Sequence, residues 1–379
     1  MIHNNLQEIQ DISKAIINKT TKNIIITGVT GQDGSHMVDY LLKHTDYNIY
    51  GCVREFNIHN YSNIIHINSK RFYLIIFDLL DTSNIKNCIK IIHPDYFINF
   101  AAQSNVNNSW INPKLTWDSN CSSIITILEE IRNTNPLCRI YQSGSSEEFG
   151  IVQYLPQDEN HPLEPITPYG VSKVASRQII KLFRYTYKMY IVQGFLFHHE
   201  GDRRGKEFVT RKITSNVARI YNEIKNNNAF LPLELGNIYI SRDWSDAEDF
   251  IDGIWKMLNQ DIYNCNYNEI PKDYVLSSGK SHSIKEFVEY AFKCVNIDGY
   301  WDNKIDENPI NEKFYYNNHI LVQINPTYYR NIDTQIIYGD YSQINKQLNW
   351  SPKTTFYELI EKMVKHDILL LNIHNEHMG

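Results

Sequence analysis

Short apolar runs alternate with amphipathic stretches through the first half of the chain. NIIIT, at Asn23–Thr27, is rich in isoleucine and is stopped by Gly28. A run of this kind suits a strand buried on both faces. In GQDGSHMVDYLLKH the apolar residues Met37, Val38, Leu41 and Leu42 recur at helical spacing. NIYGCV reads as a second strand and FYLIIFDLL as a third, followed by a helix in NIKNCIKIIH. DYFINFAAQS is a fourth strand, SIITILEEIRNT a helix and CRIYQSGSS a fifth strand. VSKVASRQIIKLFRYTYKMY is a long helix, and YIVQGFLFHHE reads as one sixth strand. Strands alternating with helices predict a parallel sheet with helices on both faces and right-handed crossovers. In open sheets of this kind ligands bind at the carboxyl ends of the strands.

After about residue 200 the alternation breaks down. Residues 201–245 read as loop-rich and charged, while HSIKEFVEYAFKCV and TTFYELIEKMVKHDILLLNI look like amphipathic helices. The expected fold class is α/β, a Rossmann-type doubly wound parallel sheet with a smaller mixed α/β substrate-binding lobe. The expected division is an extension over 1–22, a dinucleotide-binding domain over 23–200 to which parts of the later chain can return, and the lobe over 201–379.

Composition narrows the possibilities. A chain of 379 residues exceeds most single cores. A net charge of −6 gives no general attraction to nucleic acid or to an anionic membrane. No apolar run reaches the ~18 residues that span a bilayer. The N-terminal residues lack the pattern of a signal peptide. The six cysteines are scattered without a CxxC pair, which predicts reduced thiols and no zinc site. The expectation is a cytoplasmic protein with no metal, nucleic-acid partner or membrane.

The first strand runs into TGVTGQDG, with glycines at Gly28, Gly31 and Gly34. Glycines between a strand and a helix allow a tight turn and let backbone amides approach a pyrophosphate at the helix N-terminus. The second strand is expected to end at Arg54, where an NAD site usually carries an acid. An arginine can pair instead with a 2′-phosphate, so NADP is the expected cofactor. Glu55, next to it, adds a charge of the opposite kind. Asp78 follows the third strand and can accept a hydrogen bond from an adenine amine. Ala101 and Ala102, after the fourth strand, leave room for the cofactor backbone.

TPYGVSK places Tyr169 and Lys173 four apart, on one face of the long helix. A tyrosine is a weak base at neutral pH because its ordinary pKa is near ~10. A neighbouring ammonium favours the phenolate. The pair therefore points to acid–base work at the strand edge.

Taken together, TGVTGQDGS, FAAQS, SSE, PYGxxK, HE..RRG.EFVTRKI, LGN....RDW and QLNW.P resemble, in the same order, the blocks of the GDP-mannose 4,6-dehydratases of the extended short-chain dehydrogenase/reductase superfamily. The resemblance covers roughly residues 22–370. It implies that Ser145 hydrogen-bonds the reacting sugar hydroxyl, that Glu147 is the base of the elimination, and that Tyr169 and Lys173 complete the catalytic set. It implies that Thr30, Gln32, Asp33 and Leu79 join the glycines, Arg54, Asp78 and the alanines around NADP, and that Arg204 reaches a neighbouring subunit's cofactor site beside Arg203. A homotetramer follows. Ser104, Ser146, His198, Glu200 and Gly236 are implied around the sugar nucleotide. Arg211, Lys212, Arg242 and Arg330 are implied near its diphosphate, where the planar fork of arginine suits phosphate. The implied reaction converts GDP-D-mannose to GDP-4-keto-6-deoxy-D-mannose and water, by internal NADP-mediated hydride transfer from C4 to C6.

The chain departs from the family at several positions. Ser145 stands where threonine is usual, His198 for asparagine, Gly201-Asp202 for Ser-Pro, Asn331 for proline, Asn105 for histidine, and Glu55 for a second arginine. These leave open another sugar nucleotide, such as GDP-heptose or a UDP-sugar, and a catalytically idle NADP-binding subunit. Glu148 falls on an apolar family position. It is expected as a surface residue whose change to glutamine is nearly silent.

Overall fold

The computed structural model describes residues 21–261, 270–302, 309–328 and 336–378, which divide into two units. In the first, β1 (Asn23–Thr27), β2 (Asn48–Val53), β3 (Phe72–Ile76), β4 (Tyr96–Asn99), β5 (Arg139–Gln142) and β6 (Ile191–Gln193) form one sheet. Its order is β3–β2–β1–β4–β5–β6, and every pairing is parallel. The order reverses between β1 and β4, where doubly wound sheets place their ligands. Successive side chains of a strand point to opposite faces. Ile24 and Ile26 therefore pack with Met37, Val38 and Leu41 of α1 (Gln32–His44), whereas Ile25 packs on the other side. There it meets Ile85 and Ile89 of α2 (Thr82–Ile92). Burying each such isoleucine stabilises the fold by about 1.5–3 kcal/mol.

Two short helices, α3 (Val106–Ile111) and α4 (Pro113–Trp117), precede a π-type turn at Asp118–Ser122 and α5 (Ser123–Thr134). The long helix α6 spans Pro168–Tyr187, capped by the Thr167 hydroxyl on the Gly170 N–H at 3.0 Å. Residues Ala247–Leu276 and Asp340–Ser351 belong to this unit as well.

Two sequence readings change. The expected sixth strand is three short ones: β6, β7 (Phe195–Leu196) and β8 (His198–Glu200). Gly194 marks the first break. Arg177 takes the Gln193 and Gly194 carbonyls at 3.1 and 3.2 Å, so those groups do not continue a ladder. β7 then pairs with β12 (Val275–Leu276), and β8 with β11 (Trp244–Asp246). The second change lies in residues 201–245, expected to be loop-rich. They contain α7 (Val209–Lys225), whose Ile213, Val217 and Ile220 are buried. Ile213, Val217, Ile220 and Ile224 recur at helical spacing here, a period that the loop-rich reading missed.

The second unit comprises His198–Asp246, Ser277–Gly339 and Pro352–Gly379. Among its described residues β9 (Leu233–Leu235), β14 (Tyr300–Trp301), β15 (Lys313–Tyr316) and β16 (His319–Ile324) form a sheet in the order β14–β15–β16–β9. α7 packs with α9 (Ile284–Lys293) and α11 (Phe356–Met378) over a core including Leu235, Phe287, Phe292, Val322 and Leu359. The mixed α/β character expected of the lobe is present. Among the described residues no helix is long and apolar enough to cross a membrane.

Candidate active site

At the carboxyl edge of the first unit three buried polar side chains link neighbouring strands. Thr27 donates to Asn99 Oδ1 at 2.5 Å, and Asn99 Nδ2 donates to Gln142 Oε1 at 2.7 Å. Thr27 Oγ1 also accepts from the Ala101 N–H at 3.0 Å. This network seats the loop after β4 against the glycine turn. Gly28 has φ +65°, and a Cβ there would lie 2.9 Å from Ala101 N. A Cβ on Gly34 would lie 2.7 Å from Val29 Cα. Gly31 is the N-cap of α1 and supplies no side-chain cap. The cap position of α1 therefore carries no side chain, and glycines at both ends of the turn let the backbone come close. Both properties fit a bound pyrophosphate.

Around that turn, Asn63 Nδ2 donates to Thr30 O at 3.0 Å, and Gln32 Nε2 to Asp33 Oδ1 at 3.2 Å. β2 ends at Val53, one residue short of the expected Arg54, which is exposed like Glu55. Asp78 Oδ1 accepts the Leu80 N–H at 3.0 Å, fixing the turn that carries Leu79. Ala102 is half-buried and Ser104 exposed.

The segment after β5 and the start of α6 are joined at several points. Ser145 caps a 3-10 turn at Ser146–Glu148, its hydroxyl accepting the Glu147 N–H at 3.2 Å. The Ser145 proton is left to donate elsewhere. A Cβ on Gly170 would lie 2.5 Å from Glu147 O, so the turn abuts the residue following Tyr169. Lys173 Nζ donates to Ser143 O at 2.7 Å and lies 5.6 Å from the Tyr169 ring centre. Tyr169 is 8% exposed and Lys173 1%. Burial pushes the Lys173 ammonium down to about 8; Glu148 opposes that shift and Arg177 adds to it. Ser145, Glu147, Tyr169 and Lys173 are therefore brought to one edge by a turn and a helix face.

Glu148 overturns the surface expectation. It is 0% exposed. Its carboxylate pairs with Arg177, Oε2 to Nε at 2.5 Å and Oε1 to Nη2 at 3.1 Å. Oε1 also accepts from Gln193 Nε2 at 3.1 Å and closes a capping box on the Ser145 N–H at 2.9 Å. A charge can be buried when it is paired and hydrogen-bonded on every side. A second residue without a periodic signature is Asn120, in the π-type turn. It donates to Gln103 O at 3.0 Å and Ser172 Oγ at 3.1 Å, and accepts the Gln103 N–H at 2.9 Å. It ties the loop after β4 to α6.

In the second unit, Glu200 is 2% exposed, takes the Thr210 hydroxyl at 2.5 Å and pairs with Arg204 at 3.0 Å. His198 Nδ1 is buried without a hydrogen-bond partner. Burial, then the Arg242 and Arg204 charges, push its pKa down to about 3, so the ring is neutral. A neutral ring among cations suits an anionic ligand. Lys212 Nζ lies 4.3 Å from the Tyr328 ring centre, and burial lowers its pKa. Gly236 is packed so closely on the Tyr328 carbonyl that a Cβ would collide with it. Arg211 is bound within this unit. It is 4% exposed, and its Nε and Nη2 bind Asp367 at 3.0 and 2.7 Å while Nη1 donates to Asp202 O. Its fork is engaged in holding α7 to α11. Arg330 lies outside the described residues.

A family profile described as GDP-mannose 4,6 dehydratase matches residues 25–363. The chain belongs to the GDP-mannose 4,6-dehydratase family. The GDP-mannose 4,6 dehydratase of Drosophila melanogaster is 38% identical over 360 residues, covering 92% of this chain and 87% of that protein. The human GDP-mannose 4,6 dehydratase is 33% identical, covering 92% and 91%. Among solved structures, a UDP-glucose 4-epimerase of Thermotoga maritima matches with TM-score 0.74 and 17% identity, covering 92% of this chain and 99% of that one. RMD from Pseudomonas aeruginosa, solved with NADPH, matches with TM-score 0.68, 18% identity and 92% and 100% coverage. At such identities the structural likeness carries the Rossmann-type fold alone. Within this GDP-mannose 4,6-dehydratase family member, the buried pair Glu148–Arg177 directly adjoins the Tyr169–Lys173 face.

Proposed function

We propose that this chain is a nucleotide-sugar 4,6-dehydratase, a hydro-lyase that converts GDP-D-mannose to GDP-4-keto-6-deoxy-D-mannose and water. The observation that carries the reading is the joining of Ser145, Glu147, Tyr169 and Lys173 at one strand edge, in a chain of this family. The Gly28–Gly34 turn, Ala101 and the α1 N-terminus would hold a nicotinamide dinucleotide. When bound, that cofactor supplies the hydride chemistry, accepting hydride from C4 and returning it to C6.

The chain's own groups move the protons. Tyr169 takes the proton of the C4 hydroxyl, helped by the Lys173 ammonium held on Ser143 O. Ser145 donates to the reacting hydroxyl. Oxidation at C4 acidifies the C5 hydrogen, and Glu147 removes it as a half-buried base. Glu147 then gives that proton to the C6 hydroxyl, which leaves as water; as C6 is reduced C5 takes up one proton, matched by the one that Tyr169 accepted and now releases. Each positioned acid or base contributes about 10²–10⁴-fold.

Arg54 favours NADP over NAD, His198 and Arg242 serve the diphosphate, and the free thiols Cys52, Cys88, Cys121, Cys138 and Cys294 suit a cytoplasmic setting. The deciding experiment is incubation with GDP-, UDP- and dTDP-sugars, with product masses read for loss of water. Loss of water from GDP-mannose, with NADP(H) preferred and that preference erased by Arg54→Asp, is the expected result. No dehydration of any sugar nucleotide would overturn the assignment.

A further inference from the structure

The helix face of Tyr169 and Lys173 carries Arg177 one turn further on, and Arg184 beyond it. Arg177 is 0% exposed and Arg184 5%. Buried cations four residues apart on one face repel strongly, since little water screens them. Two carboxylates answer them. Asp273 accepts from Arg177 Nη1 at 3.0 Å and Arg184 Nη2 at 2.5 Å. Glu148 takes Arg177 Nε and Nη2. Three cations thus meet two carboxylates. Lys173 Nζ donates to a carbonyl, Ser143 O, while both arginines bind carboxylates. Gln193 Nε2 donates to Glu148 Oε1 and reaches Lys173 O at 3.4 Å, so one side chain braces both residues. Other titratable groups border this face. Glu147 stands on the same turn, Tyr141 is buried on β5, and Asp118 and Cys121 lie in the π-type turn. Asp118 is bound by Lys114 at 2.7 Å.

We propose that Glu148 is the positioning residue for Lys173: its buried carboxylate cancels the charge of Arg177 and so keeps the Lys173 ammonium charged beside Tyr169. The proposal rests on the reading of Tyr169 and Lys173 as the acid–base pair. Burial already moves Lys173 down to about 8, with Glu148 and Arg177 acting in opposite senses. Without the Glu148 charge, Arg177 keeps only Asp273, which it shares with Arg184, and Lys173 gives up its proton at lower pH.

The test follows Lys173 Nζ directly, by 15N NMR of lysine-labelled protein loaded with cofactor, the resonance being assigned by its loss in Lys173→Met. Glu148→Gln should move the Lys173 midpoint down by about one unit or more, and the alkaline limb of GDP-mannose dehydration should move with it. On that limb each unit is about tenfold in rate. Glu148→Gln/Arg177→Gln removes both opposing charges and should bring the midpoint back towards wild type. A folded Glu148→Gln protein with an unmoved midpoint would overturn the proposal. So would a double variant displaced as far as the single one, and this measurement decides the matter if Glu148→Gln does not fold. Failure of the functional reading looks different: wild-type Lys173 titrates near 8, but no dehydrated product forms.

Discussion

Lys173 is held charged at the expense of the fold. Its pKa falls from 10.5 to about 8, a difference of about 2.5 units or roughly 3 kcal/mol. A depressed folded pKa means that the contribution to stability is greatest above pH 10.5 and is lost as pH falls through 8. At pH 7 the ammonium therefore destabilises the native state. Lys173→Met should abolish turnover yet leave the thermal midpoint at pH 7 unchanged or higher, as read by calorimetry; a clear drop there would mean that the ammonium holds the fold. Glu147 is the complementary case. Glu147→Gln keeps the turn, which is built from the main chain of residue 147 and the Ser145 hydroxyl. Stopped-flow absorbance should still show reduced cofactor, while dehydrated product falls by about 10²-fold or more. Tyr169→Phe should block the earlier step, so no reduced cofactor appears. Product formed at the wild-type rate by Glu147→Gln would remove that residue from the mechanism.

The turn between β1 and α1 is the element on which the proposed cofactor binding would depend. Its left-handed Gly28 faces Ala101 N, and the Thr27–Asn99–Gln142 chain fixes that approach. Gly28→Ala introduces both a strained φ and a contact of 2.9 Å with a backbone atom. The strain alone costs about 1–3 kcal/mol. Cofactor affinity, measured by fluorescence titration, should fall by at least tenfold, alongside a lower thermal midpoint. Unchanged affinity would show that the pyrophosphate does not sit over this glycine. α6 has the opposite design. It gains its specificity from a stripe of buried charge, and its Arg177 and Arg184 reach Asp273, about 90 residues later in the chain.

At the level of the whole molecule the open matter is assembly. Arg203 and Arg204 stand in the segment that the family resemblance assigns to a subunit contact. Here Arg204 pairs with Glu200 and lies 3.5 Å from the Phe208 ring centre, so the segment is braced within its own chain. Light scattering of wild-type protein should give a tetramer. Charge reversal at both arginines should shift it towards smaller species and lower cofactor retention. A wild-type monomer at micromolar concentration would contradict the assignment.

Local features were legible without coordinates. The isoleucine run before Gly28, the glycine spacing, and Tyr169 four residues before Lys173 are properties of short stretches, because strand period, turn chemistry and helix spacing act over a few residues. They led to β1, the cofactor turn and the helix face that carries the candidate acid–base pair. Other features were decided by partners distant in sequence. YIVQGFLFHHE reads as one strand, yet it is split among three pairings where Arg177 takes the carbonyls of Gln193 and Gly194. The helix at Val209–Lys225, by contrast, was legible: Ile213, Val217, Ile220 and Ile224 form an apolar stripe that packs on the core. Glu148 is the sharpest instance of a distant partner deciding. Glu147 and Glu148 are the same residue type in the same turn, and nothing local separates them. Arg177, 29 residues on, and Gln193, 45 residues on, draw one carboxylate into the interior and leave its neighbour half-exposed. Burial of a charge depends on where its counter-charge arrives in space, which only the folded chain decides.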